Sequence, residues 1–244
     1  LIRLSGLMRV LLGSGGIGTE ERRSKFRDLI SDHFRDSENV VFIPLATHDH
    51  EKRTVRLKES LGPIGTKFHG LNLDRGFDQI LAADGVYVGG GNSFLLNRDL
   101  HKYGFIDALR DVVKRGAPYL GVSAGSNVAC PTMMTTNDMP IVMPQSYEAL
   151  GIVPFQINPH YYPGKITFFS EGDSNDHFGE SRQQRISEYH QHESIPVLGL
   201  WEGSYVEWDG DRGRLIGRAS AFFYDSEPLE FKDGAIFDGN LVLE

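Results

Sequence analysis

Residues 119–127 read YLGVSAGSN, the most informative segment of the sequence for its architecture. Its first four residues form an apolar run typical of a buried strand, and residues 126–130 are compatible with a helix. Between them, Gly121-Val122-Ser123-Ala124-Gly125 has the Gly-x-Ser-x-Gly pattern of a nucleophile elbow. In that turn a serine with little bulk on either side projects above the sheet. The pattern predicts a reactive serine at Ser123, and an ordinary serine in a glycine-bearing turn is the alternative.

Apolar runs and amphipathic stretches alternate on both sides of this segment. Predicted strands cover residues 10–12, 40–45, 67–71, 85–88, 119–122, 152–157 and 197–200. Predicted helices cover residues 24–34, 51–61, 77–83, 105–115 and 182–189. From residue 204 onward, aromatic and polar residues alternate around Asp209-Gly210 and Asp233-Gly234, which indicates antiparallel hairpins. The expected fold class is α/β, with a mostly parallel sheet flanked by helices and a small antiparallel C-terminal element.

Length and composition limit the classes of function. With 244 residues and 40% hydrophobic content, we expect a single domain over residues 1–244. Residues 1–7 precede Met8, and we interpret them as a leader or the product of an alternative start. The formal net charge of -8 argues against a nucleic-acid partner. We find no signal peptide and no membrane-spanning pattern. Cys130 is the one cysteine, so no internal disulfide and no cysteine-based zinc site can form, which favours a cytoplasmic location.

A serine nucleophile needs a base and an acid that orients the base. His160 closes Ile157-Asn158-Pro159-His160 at the expected carboxyl end of a strand, where open α/β sheets gather their sites; a surface histidine is the alternative. Glu202 follows a predicted strand in the same way, and Asp138 is the competing acid. The pairs His48/His50 and His190/His192 lack a third ligand, so we expect no metal and interpret both as solvated.

Two glycine-rich loops follow predicted strands. Backbone N–H groups in residues 89–92, Gly-Gly-Gly-Asn, could join that of Ala124 to bind an oxyanion; a tight turn is the alternative. Residues 13–18, Gly-Ser-Gly-Gly-Ile-Gly, match the dinucleotide fingerprint G-x-G-x-x-G. The acid that should follow the second strand is missing, so a loop bordering the active-site edge is preferred to a nucleotide site.

Several stretches together resemble the aspartyl dipeptidases known as peptidase E, whose fold is related to class I glutamine amidotransferases. The matching stretches are residues 88–94, 121–127, 130–132, 135–142, 156–160, 179–186 and 202–203. This resemblance implies a triad of Ser123, His160 and Glu202, and oxyanion N–H groups from Gly91 and Ala124. It thereby favours Glu202 over Asp138 as the orienting acid.

The resemblance also implies the substrate. Members of the family remove aspartate from Asp-Xaa dipeptides, and Arg182 falls where they place the cation that receives the aspartyl carboxylate. A guanidinium can bind a carboxylate through two parallel hydrogen bonds. Predicted substrate-binding residues are Arg182, Asn92 and Asp138, with short aspartyl peptides as substrates and no cofactor. A homodimer is compatible with the sequence.

Two departures from the family concern specificity. Val122 lies beside the nucleophile where an aromatic residue is expected, and residues 161–178 look longer and more acidic than in the family. Two other functions therefore stay open. One is a related serine peptidase that acts on other aspartyl linkages, similar to cyanophycinase. The other is a nucleotide-binding protein that uses the loop of residues 13–18.

Overall fold

The structure is a computed structural model that describes residues 8–15 and 18–244. Residues 1–7, interpreted above as a leader, lie outside the described residues. The strands are β1 (Val10–Gly13), β2 (Val40–Ile43), β3 (Phe68–Gly70), β4 (Gly85–Val88), β5 (Tyr119–Val122), β6 (Gln156–Tyr161), β7 (Thr167–Ser170), β8 (Asp173–Asp176), β9 (Val197–Trp201), β10 (Tyr205–Trp208), β11 (Arg212–Ile216), β12 (Ala219–Phe222), β13 (Leu229–Phe231) and β14 (Ile236–Asp238). The helices are α1 (Glu20–His33), α2 (His50–Leu61), α3 (Gly76–Leu81), α4 (Ser93–Lys102), α5 (Phe105–Lys114), α6 (Ala124–Asn127) and α7 (Arg182–Tyr189), with a 3₁₀ helix at Gly62–Lys67.

The main sheet has the strand order β14-β11-β10-β1-β5-β4-β2-β3. Strands β1, β5, β4, β2 and β3 are parallel, and β10, β11 and β14 extend the sheet in antiparallel pairing. The carboxyl ends of β1, β5 and β4 therefore lie side by side, and the predicted α/β fold class is confirmed.

Helices cover both faces of this sheet because its central strands are apolar on both sides. Successive residues of a strand face opposite sides, and Val41 and Phe42 accordingly belong to different apolar clusters. Residues of α1 and α2 pack in one cluster, and residues of α3, α4 and α5 pack in the other.

A second sheet has the order β13-β12-β9-β6. Strands β6 and β9 are parallel, and their register shifts between Asn158 and Tyr161. Pro159 lies in this irregular stretch, where its missing N–H could not support a regular ladder. The predicted strand at residues 152–157 is therefore displaced: β6 begins at Gln156 and includes His160.

The antiparallel C-terminal strands divide between the two sheets. Strands β10 and β11 form the predicted hairpin, and Asp209 Oδ1 accepts hydrogen bonds from the N–H groups of Asp211 and Arg212 in its turn. The hairpin predicted at Asp233-Gly234 is wrong. The strands on either side of it, β13 and β14, pair with β12 and β11 respectively and not with each other.

A helix and a hairpin of the structure have no counterpart in the sequence prediction. Helix α4 begins after Asn92, whose side chain accepts a hydrogen bond from the N–H of Leu95 at 3.0 Å and so caps the helix. Strands β7 and β8 form an exposed two-stranded hairpin within the acidic stretch of residues 161–178. Both elements begin next to glycine-rich or polar residues that give little periodic signal.

The last residue of α1, His33, predicts a measurable pH dependence of stability. Burial, with a smaller effect from the charge of Arg9, lowers the pKa of this partly buried imidazole from 6.5 to about 3. Since the unfolded chain binds a proton between about pH 6.5 and 3 and the folded chain does not, stability should be complete above this window and fall on acidification. We expect His33 to contribute at most about 1.4 kcal/mol per pH unit to the slope of the unfolding free energy.

Urea unfolding above and within the window would measure this slope. His33→Gln, which keeps an N–H donor for the Tyr119 carbonyl, should flatten it. The exposed His69 provides the control, and His69→Gln should leave the slope as in the wild type. Equal slopes in His33→Gln and the wild type would contradict the assignment.

Candidate active site

The turn from β5 into α6 is a close contact between backbone segments. A Cβ atom on Gly121 would lie 2.4 Å from the carbonyl oxygen of Gly125, and one on Gly125 would lie 2.0 Å from that of Val88. Neither position can hold a larger residue without movement of the backbone. Ser123, at the apex, has a φ of 55°, a strained value for a residue with a side chain.

Hydrogen bonds hold this turn against the end of β1. The N–H of Ser123 and the hydroxyl of Ser126 both donate to the Gly13 carbonyl, at 2.9 and 2.8 Å. The N–H groups of Ser126 and Asn127 donate to the Ser123 carbonyl at 2.9 Å. The backbone of Ser123 is therefore fixed on both sides, and its hydroxyl is left to interact with the second sheet.

Ser123 and His160 meet across the two sheets. The Oγ of Ser123 lies 2.8 Å from Nε2 of His160, which belongs to β6 and has a φ of 56°. The other ring nitrogen, Nδ1, is hydrogen-bonded to Oε1 of Glu202, the residue after β9. A carboxylate only accepts hydrogen bonds, so Nδ1 carries the proton and Nε2 can accept one from the serine hydroxyl.

The environment of Glu202 favours its ionised form. The hydrogen bond from His160 is the main cause that holds the pKa of Glu202 below its ordinary value. The electrostatic effects of His160 and Arg22 lower this pKa further, and burial opposes them. Arg22 comes from α1, close to Gly203, and no motif in the sequence indicated its place beside this acid.

Asp138, the competing acid, lies beside the start of α4. Its Oδ2 accepts hydrogen bonds from the N–H and the hydroxyl of Ser93, both at 2.7 Å, at the start of α4. It therefore supports the loop after β4, and the acid that contacts His160 is Glu202. Its neighbour Asn137 donates from Nδ2 to the Pro159 carbonyl at 2.9 Å, so residues 137–138 bridge the loop after β4 and the strand of His160.

The glycine-rich loop after β4 lies against the serine. A Cβ atom on Gly90 would be 3.1 Å from the Cβ of Ser123, so a side chain there would press on the serine. Gly91 is exposed and has a φ of 147°. The oxyanion role of Gly91 and Ala124 stays a prediction. Asn92 caps α4 and donates to the Met139 carbonyl at 2.9 Å, and its role in binding substrate likewise stays a prediction.

Arg182, the first residue of α7, lies in a partly buried position. Its Cζ is 5.6 Å from the centre of the Tyr162 ring, and its buried Nε has no hydrogen-bond partner among the described residues. Burial is the main cause that lowers the pKa of Arg182, and the charge of Asp138 opposes this shift. The guanidinium is therefore partly desolvated, feels the charge of Asp138, and has one donor that no described residue uses.

The loop after β1 contacts the same site. Of residues 13–18, Gly16 and Ile17 lie outside the described residues. A Cβ atom on Gly15 would lie 2.7 Å from Cε1 of His160, so this loop packs on the imidazole edge. That position agrees with a loop bordering the active-site edge. The dinucleotide pattern could not reveal the contact.

The single cysteine and the paired histidines have other environments. Cys130 is buried, accepts a hydrogen bond from the N–H of Ile157 at 3.2 Å, and has its pKa raised to about 12 by burial. The prediction that His190 is solvated is wrong, because it is buried and its Nδ1 lies 3.0 Å from the Glu193 carbonyl oxygen.

Within residues 8–15 and 18–244, no three His, Cys, Asp or Glu residues are grouped to hold a metal ion. No helix of that part of the chain is long and apolar enough to span a bilayer.

A serine at a strand-to-helix turn, bonded to an imidazole that is bonded in turn to a carboxylate, is the arrangement of a serine hydrolase. Comparison with known proteins identifies the family within this class of hydrolases. The model of peptidase family S51 matches residues 9–216. The chain belongs to peptidase family S51 and is a serine-type peptidase.

Individual relatives agree with this family. A protein of Streptomyces coelicolor named "Peptidase E" is 42% identical to this chain over 201 residues. The matched region covers 80% of this chain and 79% of the Streptomyces protein. A Drosophila melanogaster protein named "Probable alpha-aspartyl dipeptidase" is 38% identical over 210 residues. The matched region covers 85% of this chain and 84% of the Drosophila protein. The crystal structure of a peptidase from an acI-B1 Actinobacterium is similar with a TM-score of 0.65 at 16% identity, covering 96% of this chain and 98% of that one, and it shows the shared fold.

The contact at Gly125 predicts a large effect of a single methyl group. Gly125→Ala should lower the free energy of unfolding by at least about 1–3 kcal/mol, because the added Cβ meets a backbone carbonyl that cannot move without displacing β4. Urea unfolding would measure the loss. Gly18→Ala is the matched control, since no atom of the other described residues lies within 4 Å of a Cβ there, and it should stay close to the wild type. A Gly125→Ala protein as stable as the Gly18→Ala protein would contradict this account of the turn.

Proposed function

We propose that this chain is a serine dipeptidase that removes the N-terminal aspartate from Asp-Xaa dipeptides. The observation that carries the proposal is the continuous hydrogen-bond path from Ser123 Oγ through His160 to Glu202 in a member of peptidase family S51. The name of the relative from Drosophila supports the aspartyl dipeptide as substrate. The buried, lone Cys130 supports a cytoplasmic location.

The reaction follows from the protonation states of the path. The hydroxyl of Ser123 attacks the carbonyl carbon of the aspartyl residue while Nε2 of His160 takes its proton. Glu202 stabilises the resulting imidazolium and keeps Nδ1 protonated. His160 then gives the proton to the departing amine, and water hydrolyses the aspartyl ester by the same steps in reverse order.

The developing oxyanion needs donors on the side of the serine away from the imidazole. The N–H groups of Gly91 and Ala124 are our proposal, supported by the close approach of Gly90 to Ser123. Removing one such donor typically costs about 2.7–4 kcal/mol of transition-state stabilisation. The proposed reaction uses no metal ion and no cofactor.

Selectivity for aspartate would come from Arg182. Its guanidinium is partly buried, its Nε has no partner among residues 8–15 and 18–244, and it feels the charge of Asp138, which is joined through Ser93 to the loop of Gly91. A substrate carboxylate at the guanidinium would compensate the burial of the positive charge. Asp138 would position the loop and, with Asn92, border the substrate.

The triad predicts a graded series of losses in activity. Ser123→Ala should be folded and reduce turnover of Asp-Leu to near background, since it removes the only proposed nucleophile. His160→Ala should behave similarly. Glu202→Gln should lose much of the rate and Asp138→Asn less, because the acid bonded to His160 stabilises the imidazolium. Steady-state kinetics with purified variants would give the ranking.

Two outcomes would contradict the triad. One is a Ser123→Ala protein that keeps more than about a tenth of wild-type turnover, since loss of a covalent nucleophile costs far more. The other is a larger loss in Asp138→Asn than in Glu202→Gln, which would move the acid role to Asp138. N-acetyl-Asp-Leu provides the substrate control, because a dipeptidase that requires the free amine should not cleave it.

The role of Arg182 predicts a specific change in selectivity. The wild type should cleave Asp-Leu at least about thirtyfold more efficiently than Asn-Leu, because the amide leaves a partly buried cation unpaired. Glu-Leu should also be poor, since its extra methylene displaces either the carboxylate or the scissile carbonyl. In Arg182→Ala, kcat/KM for Asp-Leu should fall toward the value for Asn-Leu.

Arg185, one turn further along α7, offers a matched control. It is exposed, and its guanidinium lies 3.9 Å from the Glu180 carboxylate. Arg185→Ala should keep the preference for Asp-Leu. If Arg182→Ala keeps that preference and Arg185→Ala loses it, the carboxylate is bound by Arg185 and the proposed pocket is wrong.

A further inference from the structure

Ser14, the residue after β1, is fully buried and makes hydrogen bonds to the second sheet. Its hydroxyl donates to the Leu200 carbonyl at 2.9 Å and accepts from the backbone N–H of His160 at 2.8 Å. Its own N–H donates to the Ser204 carbonyl at 3.0 Å. One side-chain oxygen therefore joins the carboxyl ends of β1, β6 and β9.

These contacts reach the residues on either side of the proposed base. Leu200 lies in β9, two residues before Glu202. Strand β1 pairs with β5, at whose end Ser123 lies, and the N–H of Ser123 is bonded to Gly13, the residue before Ser14. The hydroxyl of Ser14 thus links the backbone that carries the nucleophile to the backbones that carry the base and the acid.

The backbone of His160 needs such a partner. With a φ of 56° it has left the extended conformation of β6, and the pairing of β6 with β9 is irregular between Asn158 and Tyr161. Its N–H consequently has no regular place in the sheet, and Ser14 supplies the acceptor. Without that bond, a strained backbone conformation would lose one of the interactions that maintain it.

Gly15 extends the contact from the backbone of His160 to its imidazole ring. Its carbonyl accepts a hydrogen bond from the N–H of Gly203 at 3.0 Å, and its Cα packs so near the imidazole that a Cβ would lie 2.7 Å from Cε1 of His160. Residues 14 and 15 therefore hold both the backbone and one edge of the imidazole, and they hold the residue next to Glu202.

We propose that Ser14 is a positioning residue for the proposed triad: its buried hydroxyl fixes the backbone of His160 so that the imidazole lies in line between Ser123 and Glu202. This inference rests on the proposed function. Ser14 is 0% exposed, so it does not touch the substrate and acts through the backbone groups to which it is bonded, that of His160 above all. Its loss should therefore lower kcat and leave KM nearly unchanged.

The test is Ser14→Ala beside a matched buried serine. Ser37 is also buried, and its hydroxyl donates to the Asp84 carbonyl at 3.1 Å, before β2 and β4 and thus at the opposite edge of the sheet. We expect kcat for Asp-Leu to fall about tenfold to a hundredfold in Ser14→Ala, as a displacement of the base by a fraction of an ångström or more would cause. Ser37→Ala should lose stability and keep its kcat and KM.

A spectroscopic measurement separates positioning from general destabilisation. The Nδ1 proton that His160 donates to Glu202 should give a downfield NMR resonance in the wild type, in Ser37→Ala and in Ser123→Ala. In Ser14→Ala this resonance should broaden or disappear, because the imidazole is no longer held in one orientation. If Ser14→Ala does not fold, Ser14→Cys, which has a similar size and weaker hydrogen bonding, should show the same fall in kcat and the same spectral change.

Outcomes against this inference are distinct from those against the triad. A sharp resonance and wild-type kcat in Ser14→Ala, with Ser123→Ala inactive, would overturn the positioning role and leave the triad intact. An equal fall in kcat in Ser37→Ala would show that the loss in Ser14→Ala reflects reduced stability, and it would also overturn the positioning role. An active Ser123→Ala protein would refute the triad and with it the inference.

Discussion

The backbone contact between Gly125 and Val88 is the constraint on which the rest of the site depends. A carbonyl of β4 occupies the space where any side chain at residue 125 would begin. Helix α6 can therefore start directly above the sheet, and the turn that precedes it raises Ser123 into a left-handed conformation. Strands β1 and β4 flank β5, so the loops that follow β1 and β4 lie next to the serine at the end of β5.

The site is divided between two sheets, and this division explains how its parts are held. The main sheet supplies the serine and the glycine-rich loop, and the second sheet supplies the imidazole and the carboxylate. A single buried hydrogen bond contributes only about 0.5–1.5 kcal/mol to stability. Several such bonds across the junction, including that from Asn127 Nδ2 to the Ile157 carbonyl at 3.1 Å, can nevertheless fix the relative position of the two sheets.

The sequence predicted the parts of this structure that local patterns encode. The central strands, the helices on their faces and the turn at Ser123 follow from apolar periodicity and small residues, and β4, β5 and α7 match their predicted bounds. Helix α4 was missed because Asn92 was treated as part of an oxyanion loop, although asparagine is also a strong helix cap. The displaced start of β6 has a similar origin, since the apolar residues Ile152, Val153 and Phe155 are buried in irregular chain before the strand begins.

Contacts between distant residues account for what the sequence could not predict. Ser14 bonds to partners 146 and 186 positions away, and no local pattern distinguishes it from another loop serine. The choice between Glu202 and Asp138 likewise depended on which carboxylate the fold brings to His160. Family resemblance supplied that choice before the structure did, because it carries information about tertiary contacts that composition and spacing lack.

The burial of Cys130 makes the protein suited to site-specific labelling. Maleimides and iodoacetamides react with thiolates, and a buried thiol whose pKa is raised to about 12 forms almost none at neutral pH. Since the chain contains no other cysteine, one introduced at an exposed position becomes the sole reactive thiol. A fluorophore attached in the exposed β7–β8 hairpin would then report, by energy transfer, the distance to a ligand that carries a second fluorophore, without any need to remove a native cysteine.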